Sequence, residues 1–117
     1  MALLNVSTEM RKLVDKQIVV EIAQFRLLPA VNEQEFLVEV ELSQKSFLEK
    51  QRGYIDRELL KDESGLWVDI LHWQTMQDAL KAAEQMMQEE VVKGFISKID
   101  SSSITMLHLK QKGIWKP

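Results

Sequence analysis

The chain has 117 residues, no cysteine, a net charge of −3 and 45% hydrophobic residues. That length supports one domain around one core. The lack of thiols excludes disulfides, iron–sulfur clusters, thiolate metal sites and cysteine nucleophiles, and the excess of acids weighs against general nucleic-acid binding.

Residues 1–16 read as an appended helix, with Ser7 as N-cap and Val6, Met10, Leu13 and Val14 on one face. A helix this short needs something to dock on. Gln17 to Leu28 reads as the first strand, with both alternating sets partly apolar, and Pro29 stops it. Glu33 to Lys50 reads as a helix capped by Asn32, its stripe formed by Phe36, Leu37, Val40, Phe47 and Leu48. Val38 and Leu42 lie off that stripe and suggest a second contact. Gly53 suits the break that follows.

Tyr54 to Lys61 and Leu66 to Gln74 are the second and third strands, joined by the turn Asp62-Glu63-Ser64-Gly65. Met76, Ala79, Leu80, Ala83, Met86 and Met87 form the clearest amphipathic pattern. Val91, Val92 and Phe95 add a further short turn of helix. Ser97 to Lys110 carries the last strand, with Ser101-Ser102-Ser103 as a bulge or bend. Residues 111–117 are a basic tail containing Trp115. The order is β-α-β-β-α-β, the ferredoxin-like split βαβ: an α+β domain over residues 17–110 with an antiparallel sheet and two helices on one face. The other face carries apolar side chains and needs a cover.

Six residues are the candidates for a site. His72 shares strand parity with Leu66, Val68 and Ile70, which makes it a candidate pocket base; the plainer reading is a packed, hydrogen-bonded histidine. Asp69 lies between Trp67 and Trp73 on the opposite parity. It reads as a general base raised by desolvation, or as a plain hydrogen-bond acceptor, and the indoles as ligand walls or a dimer face. Tyr54, with Arg57 near it, orients an anionic or phenolic ligand or decorates an edge. His108 alternates with Ile104 and Met106 in the last strand. An intervening strand holds His72 and His108 about 9–10 Å apart at best. They cannot share a metal at bonds of about 2 Å. No metal site and no cofactor is expected, and no phosphate loop, serine elbow or zinc motif is present. The methionines read as adaptable core filler.

The chain resembles the dimeric α+β barrel superfamily, and within it the antibiotic biosynthesis monooxygenase-like domain. The residues that carry the resemblance are Gln51-Arg52-Gly53-Tyr54, Leu66-Trp67-Val68-Asp69-Ile70-Leu71-His72-Trp73, then Met76, Ala79, Ala83, Phe95 and Ile99-Asp100, within about residues 17–109. The resemblance implies a homodimer with sheets packed face to face, and a cavity between sheet and helices. Haem-degrading members carry a histidine near the end of the second helix, and Met86 to Val92 has none. Cofactor-free oxygenases deprotonate an electron-rich phenol or quinol and let it react with oxygen. Two readings stand: a small-molecule-binding dimer, extending to a cofactor-independent monooxygenase on an aromatic or quinol-like substrate, or a non-catalytic dimerisation or stress-response module. The expected partners are a second copy and a small apolar or aromatic ligand. No apolar run approaches the roughly 20 residues that span a bilayer, and no export signal is seen, so a cytoplasmic protein bound to neither membrane nor nucleic acid is expected.

Overall fold

The computed structural model describes residues 17–117, and the helix expected over residues 1–16 lies outside them. Four strands, β1 (Val19–Phe25), β2 (Tyr54–Lys61), β3 (Trp67–Trp73) and β4 (Thr105–Lys110), form one antiparallel sheet in the order β2-β3-β1-β4. Helix α1 (Glu33–Ser46) follows β1, α2 (Met76–Met86) follows β3, and a short α3 (Lys93–Ser97) precedes β4. This is the expected ferredoxin-like order, with β1 and β3 as the central pair.

The elements start where polar side chains satisfy free backbone groups. Asn32 accepts from the N–H groups of Gln34 and Glu35 at 2.8 and 3.2 Å and starts α1. Thr75 does the same for α2 through Asp78 N–H, at 3.0 Å. Between β2 and β3, Asp62 accepts from the N–H groups of Ser64 and Leu66 at 2.8 and 3.0 Å, and the Ser64 hydroxyl bond holds its carboxyl below the usual range. Gly65 completes that turn at φ +90°.

Three boundaries differ from the sequence expectation. Helix α1 ends at Ser46, because Phe47 leaves helical geometry at φ −128° and a 3₁₀ turn over Leu48–Lys50 buries both Phe47 and Leu48. The first strand is shorter than expected, and beyond it Leu27 makes only an isolated bridge to Ile99. The last strand starts at Thr105 rather than Ser97. Residues 93–97 are helical, and Asp100 takes the N–H of Ser102 at 3.1 Å and its hydroxyl at 2.7 Å, which winds Ser101–Ser103 into a 3₁₀ turn instead of a bulge.

The bulge lies in β2. Tyr54 pairs with Trp73 and Asp56 with His72, so Ile55 is the extra residue. It shifts the parity of the strand: Tyr54 and Arg57 stand on the helix side, Asp56 on the other. On β3 the helix side takes Trp67, Asp69, Leu71 and Trp73, all buried. The expectation that Trp67 and Trp73 form a dimer face therefore does not hold, because the protomer's own helices cover both. The open face presents Val20, Ile22, Val68, Ile70, Leu107 and Leu109, half-buried or exposed.

The core under the helices has two parts. One holds Val19, Phe47, Leu48, Leu71, Trp73, Ala79, Ala82 and Val92 beneath α2. The other is an aromatic cluster beneath α1. Its Phe36 stacks on Phe95 with centroids 5.5 Å apart and meets Trp67 edge-on at 5.0 Å and Phe25 edge-on at 5.9 Å. Phe36 is 0% exposed. Its replacement by alanine is expected to cost about 3–5 kcal/mol in chemical denaturation, because three facing rings cannot collapse into the void.

Candidate functional site

Between the two parts of the core runs a belt of polar side chains, one from each strand. Arg57 pairs with Leu71 across the sheet, Leu71 with Glu21, and Glu21 with His108, so Arg57, Glu21 and His108 lie in one row. Asp69 stands one step along on the same face. Glu21 is 7% exposed and Asp69 5%. Buried carboxylates need partners, and the two find different ones.

Asp69 is fully engaged. Arg57 grips it with two bonds, Nε to Oδ1 at 2.9 Å and Nη2 to Oδ2 at 2.7 Å. The remaining guanidinium nitrogen, Nη1, donates to Ser43 Oγ at 3.1 Å and to the Val40 carbonyl at 3.4 Å, both on α1. The guanidinium also lies 5.4 Å from the centre of the Phe95 ring. Such a planar fork suits a buried carboxylate, and it ties β2, β3 and α1 together.

Glu21 has a weaker partner. His108 Nε2 lies 3.0 Å from its Oε1. Burial pushes the Glu21 carboxyl above its ordinary value; His108 opposes the rise, and the nearby Asp69 charge adds to it. Trp73 Nε1 is directed at the same carboxyl and slightly favours its charged form. Yet that indole N–H has no partner at hydrogen-bond geometry, although Trp73 is 1% exposed. A buried donor without an acceptor is uncommon. Glu21 and Trp73 border a small cleft whose other walls are Phe47, Leu48, Leu71, Ala82, Ala83 and Met86. It has about 20 Å³ of room, enough for one water-sized guest.

The other candidates from the sequence lie apart from this cleft or beside it. His72 is on the open face, its Nδ1 2.7 Å from Asp56 Oδ1. Trp67 belongs to the aromatic cluster under α1. Tyr54 rests edge-on against Trp73, with centroids 5.6 Å apart, and its hydroxyl donates to Gln44 Oε1 at 2.9 Å. Burial raises the Tyr54 hydroxyl above its ordinary value. Of the six, the structure brings Trp73 and His108 together around Glu21, with Asp69 and Tyr54 as neighbours. Sequence reasoning missed Glu21. The available signal was an acid in an otherwise apolar strand, on the parity of Val19 and Phe25. Among the described residues no three His, Asp or Glu side chains gather as a metal site, and no helix is long and apolar enough to cross a membrane.

A four-stranded antiparallel sheet with its helices on one face defines the class as the ferredoxin-like α+β fold. Solved structures of that fold match well. A Bordetella bronchiseptica protein assigned to the antibiotic biosynthesis monooxygenases superposes with a TM-score of 0.69 at 18% identity, over 84% of this chain and 99% of that one. SnoaB, a cofactor-independent oxygenase from Streptomyces nogalater, gives 0.57 at 15% identity, over 86% and 96%. Rv0793 from Mycobacterium tuberculosis gives 0.60 at 10%, over 85% and 99%. The chain has the fold of antibiotic biosynthesis monooxygenase-like proteins. No protein-family model matches its sequence, and no curated protein does.

The state of Glu21 has a consequence for stability. Because its carboxyl is raised above 4.5, the folded protein holds that proton more tightly than the unfolded chain. The stabilisation is complete below the unfolded value and is lost as pH rises through the folded one. Glu21→Gln removes this loss. Its Tm advantage over the wild type is expected to be absent near pH 4, to grow as pH rises above the ordinary carboxyl value of 4.5, and to level off once the folded-state carboxyl is ionised. A difference that stays constant with pH contradicts the assignment.

Proposed function

We propose that two copies of the chain pack open face to open face as a homodimer, and that the cleft beside Glu21 and Trp73 binds a small aromatic or quinol-like ligand. The observation that carries the reading is the unpartnered Trp73 N–H beside a raised carboxyl, both in an apolar setting. The indole supplies one donor for a ligand oxygen. The Glu21–His108 pair supplies an acceptor for a hydroxyl proton. Asp69 and Tyr54 act as positioning residues, since Arg57 and Gln44 occupy their polar atoms. His72 belongs to the dimer face.

The chemistry that suits this pair is cofactor-independent oxygenation. The quinol gives its proton to Glu21 and His108, and the electron-rich anion then reduces oxygen. One oxygen atom enters the ring and the other leaves as water, so quinol and O₂ balance as hydroxyquinone and water. The fold shared with a cofactor-independent oxygenase supports the reading. A ring needs more than about 20 Å³, and Met86, at the wall of the cleft, is the unbranched side chain that yields.

Oxygen uptake with a series of hydroquinones tests the activity. Glu21→Gln is expected to lower kcat by about 10²–10⁴-fold, the usual contribution of a general base. Trp73→Phe is expected to raise KM more than it lowers kcat. Uptake that is absent from the wild type, or unchanged in Glu21→Gln, removes the catalytic reading. The tight cleft then favours the second one, a dimerisation module without turnover. Dimerisation is tested separately: sedimentation of Ile70→Lys is expected to give a monomer where the wild type gives a dimer, because a lysine in the open face has no partner there.

A further inference from the structure

Beyond Lys110 the chain runs past the edge of its own sheet. Gln111 is still tied back, its N–H to the Ile18 carbonyl at 2.8 Å and its carbonyl to Gln17 Nε2 at 2.7 Å. After it, Ile114 is exposed and Trp115 is 88% exposed, flanked by Lys112 and Lys116. An indole this large gains nothing by standing in water. We propose that residues 112–117 of each protomer cross to the other copy and seat Trp115 in its groove between α1 and β2.

The inference rests on the homodimer proposed above, and the strand register gives it direction. Tyr54 pairs with Trp73, Trp73 with Val19 and Val19 with Lys110, so the tail leaves the sheet at the same level at which β2 begins, on the opposite edge. Two copies packed on their open faces have two simple arrangements. A two-fold axis across the strands lays β2 over β2, which brings Asp56 and Glu58 of both copies together. An axis along the strands lays β4 of each copy over β2 of the other and keeps the level, so the lysine-bearing end of β4 arrives where those acids are. Like-charge contacts disfavour the first arrangement.

The groove at that place fits the tail. Val40, Ile55 and Leu59 give it apolar walls, and Glu41, Glu49 and Asp56 give it acidic ones. Glu49 Oε2 accepts from Gln44 Nε2 at 3.1 Å and meets Lys45 at 3.6 Å, and its side chain stays 43% exposed. Lys112 and Lys116 complement these acids on either side of the indole. Stacked sheets lie about 10 Å apart, and the four residues from Lys112 to Trp115 reach roughly 13–14 Å when extended, so the tail carries the indole across the step.

The chain has no cysteine, so an introduced pair reports one contact. Ile114→Cys and Glu41→Cys proteins, mixed and mildly oxidised, are expected to form a disulfide-linked heterodimer that leaves Trp115 in place. Ile114→Cys mixed with Ser64→Cys, at the far end of the sheet, is expected to give at least about tenfold less. Trp115→Ala is expected to weaken the dimer at least about tenfold in sedimentation, as loss of a buried aromatic anchor does. A wild-type dimer that cross-links no better at position 41 than at 64, or that Trp115→Ala leaves unchanged, overturns the tail contact and leaves the face-to-face dimer standing. A wild-type monomer overturns both.

Discussion

Two carboxylates are buried on the helix-covered face of this sheet, and one guanidinium serves only one of them. Arg57 gives two bonds to Asp69 and spends its remaining nitrogen on Ser43 and Val40, so nothing is left for Glu21. Removing either partner of such a pair strands a buried charge, at a cost of about 3–5 kcal/mol. The pair therefore fixes α1 over β2 and β3. It also leaves Glu21 to His108, whose Nε2 lies 3.0 Å from its Oε1. The character of the cleft follows from that unequal division. Asp69 is structural because it is saturated; Glu21 is responsive because it is not.

The order of elements and the sheet order were legible in the sequence, because hydrophobic period and turn residues report them directly. Parity along β3 was legible too: Trp67, Asp69, Leu71 and Trp73 do share one side. Which side faces the helices was not, since alternation carries no sign. The bulge at Ile55 left no mark either. Nothing in Tyr54-Ile55-Asp56-Arg57 departs from ordinary strand composition, yet one extra residue turns Arg57 inward and Asp56 outward. Without that inversion Arg57 could not reach Asp69. Glu21 was hidden for a related reason. Its partner His108 is 87 residues away in sequence, and only the sheet register joins them.

The cleft owes its existence to the small residues of α2. Ala79 and Ala82 let that helix approach the sheet closely, and Trp73 fills most of the space beneath. A larger residue at Ala82 would close the remaining gap and gain packing. Alanine there leaves the small cleft that Trp73 and Glu21 border. Tight packing elsewhere sharpens the contrast. The aromatic cluster under α1 holds four rings in mutual contact. The small cleft lies in the half of the core that also holds the raised carboxyl.

The open face distributes its polar groups differently from the covered one. Its central strand β1 presents Val20 and Ile22, and the neighbouring β3 adds Val68 and Ile70. The polar side chains stand at the flanks: Asp56 and Glu58 on the edge strand β2, with His72 at one end of β3 bonded to Asp56. An apolar centre with a polar rim is the arrangement of a surface meant to be covered, because the rim keeps its water while the centre loses it. On the covered face the reverse holds, with the polar belt crossing the middle. Charge thus crosses the middle of the covered face and only borders the open one.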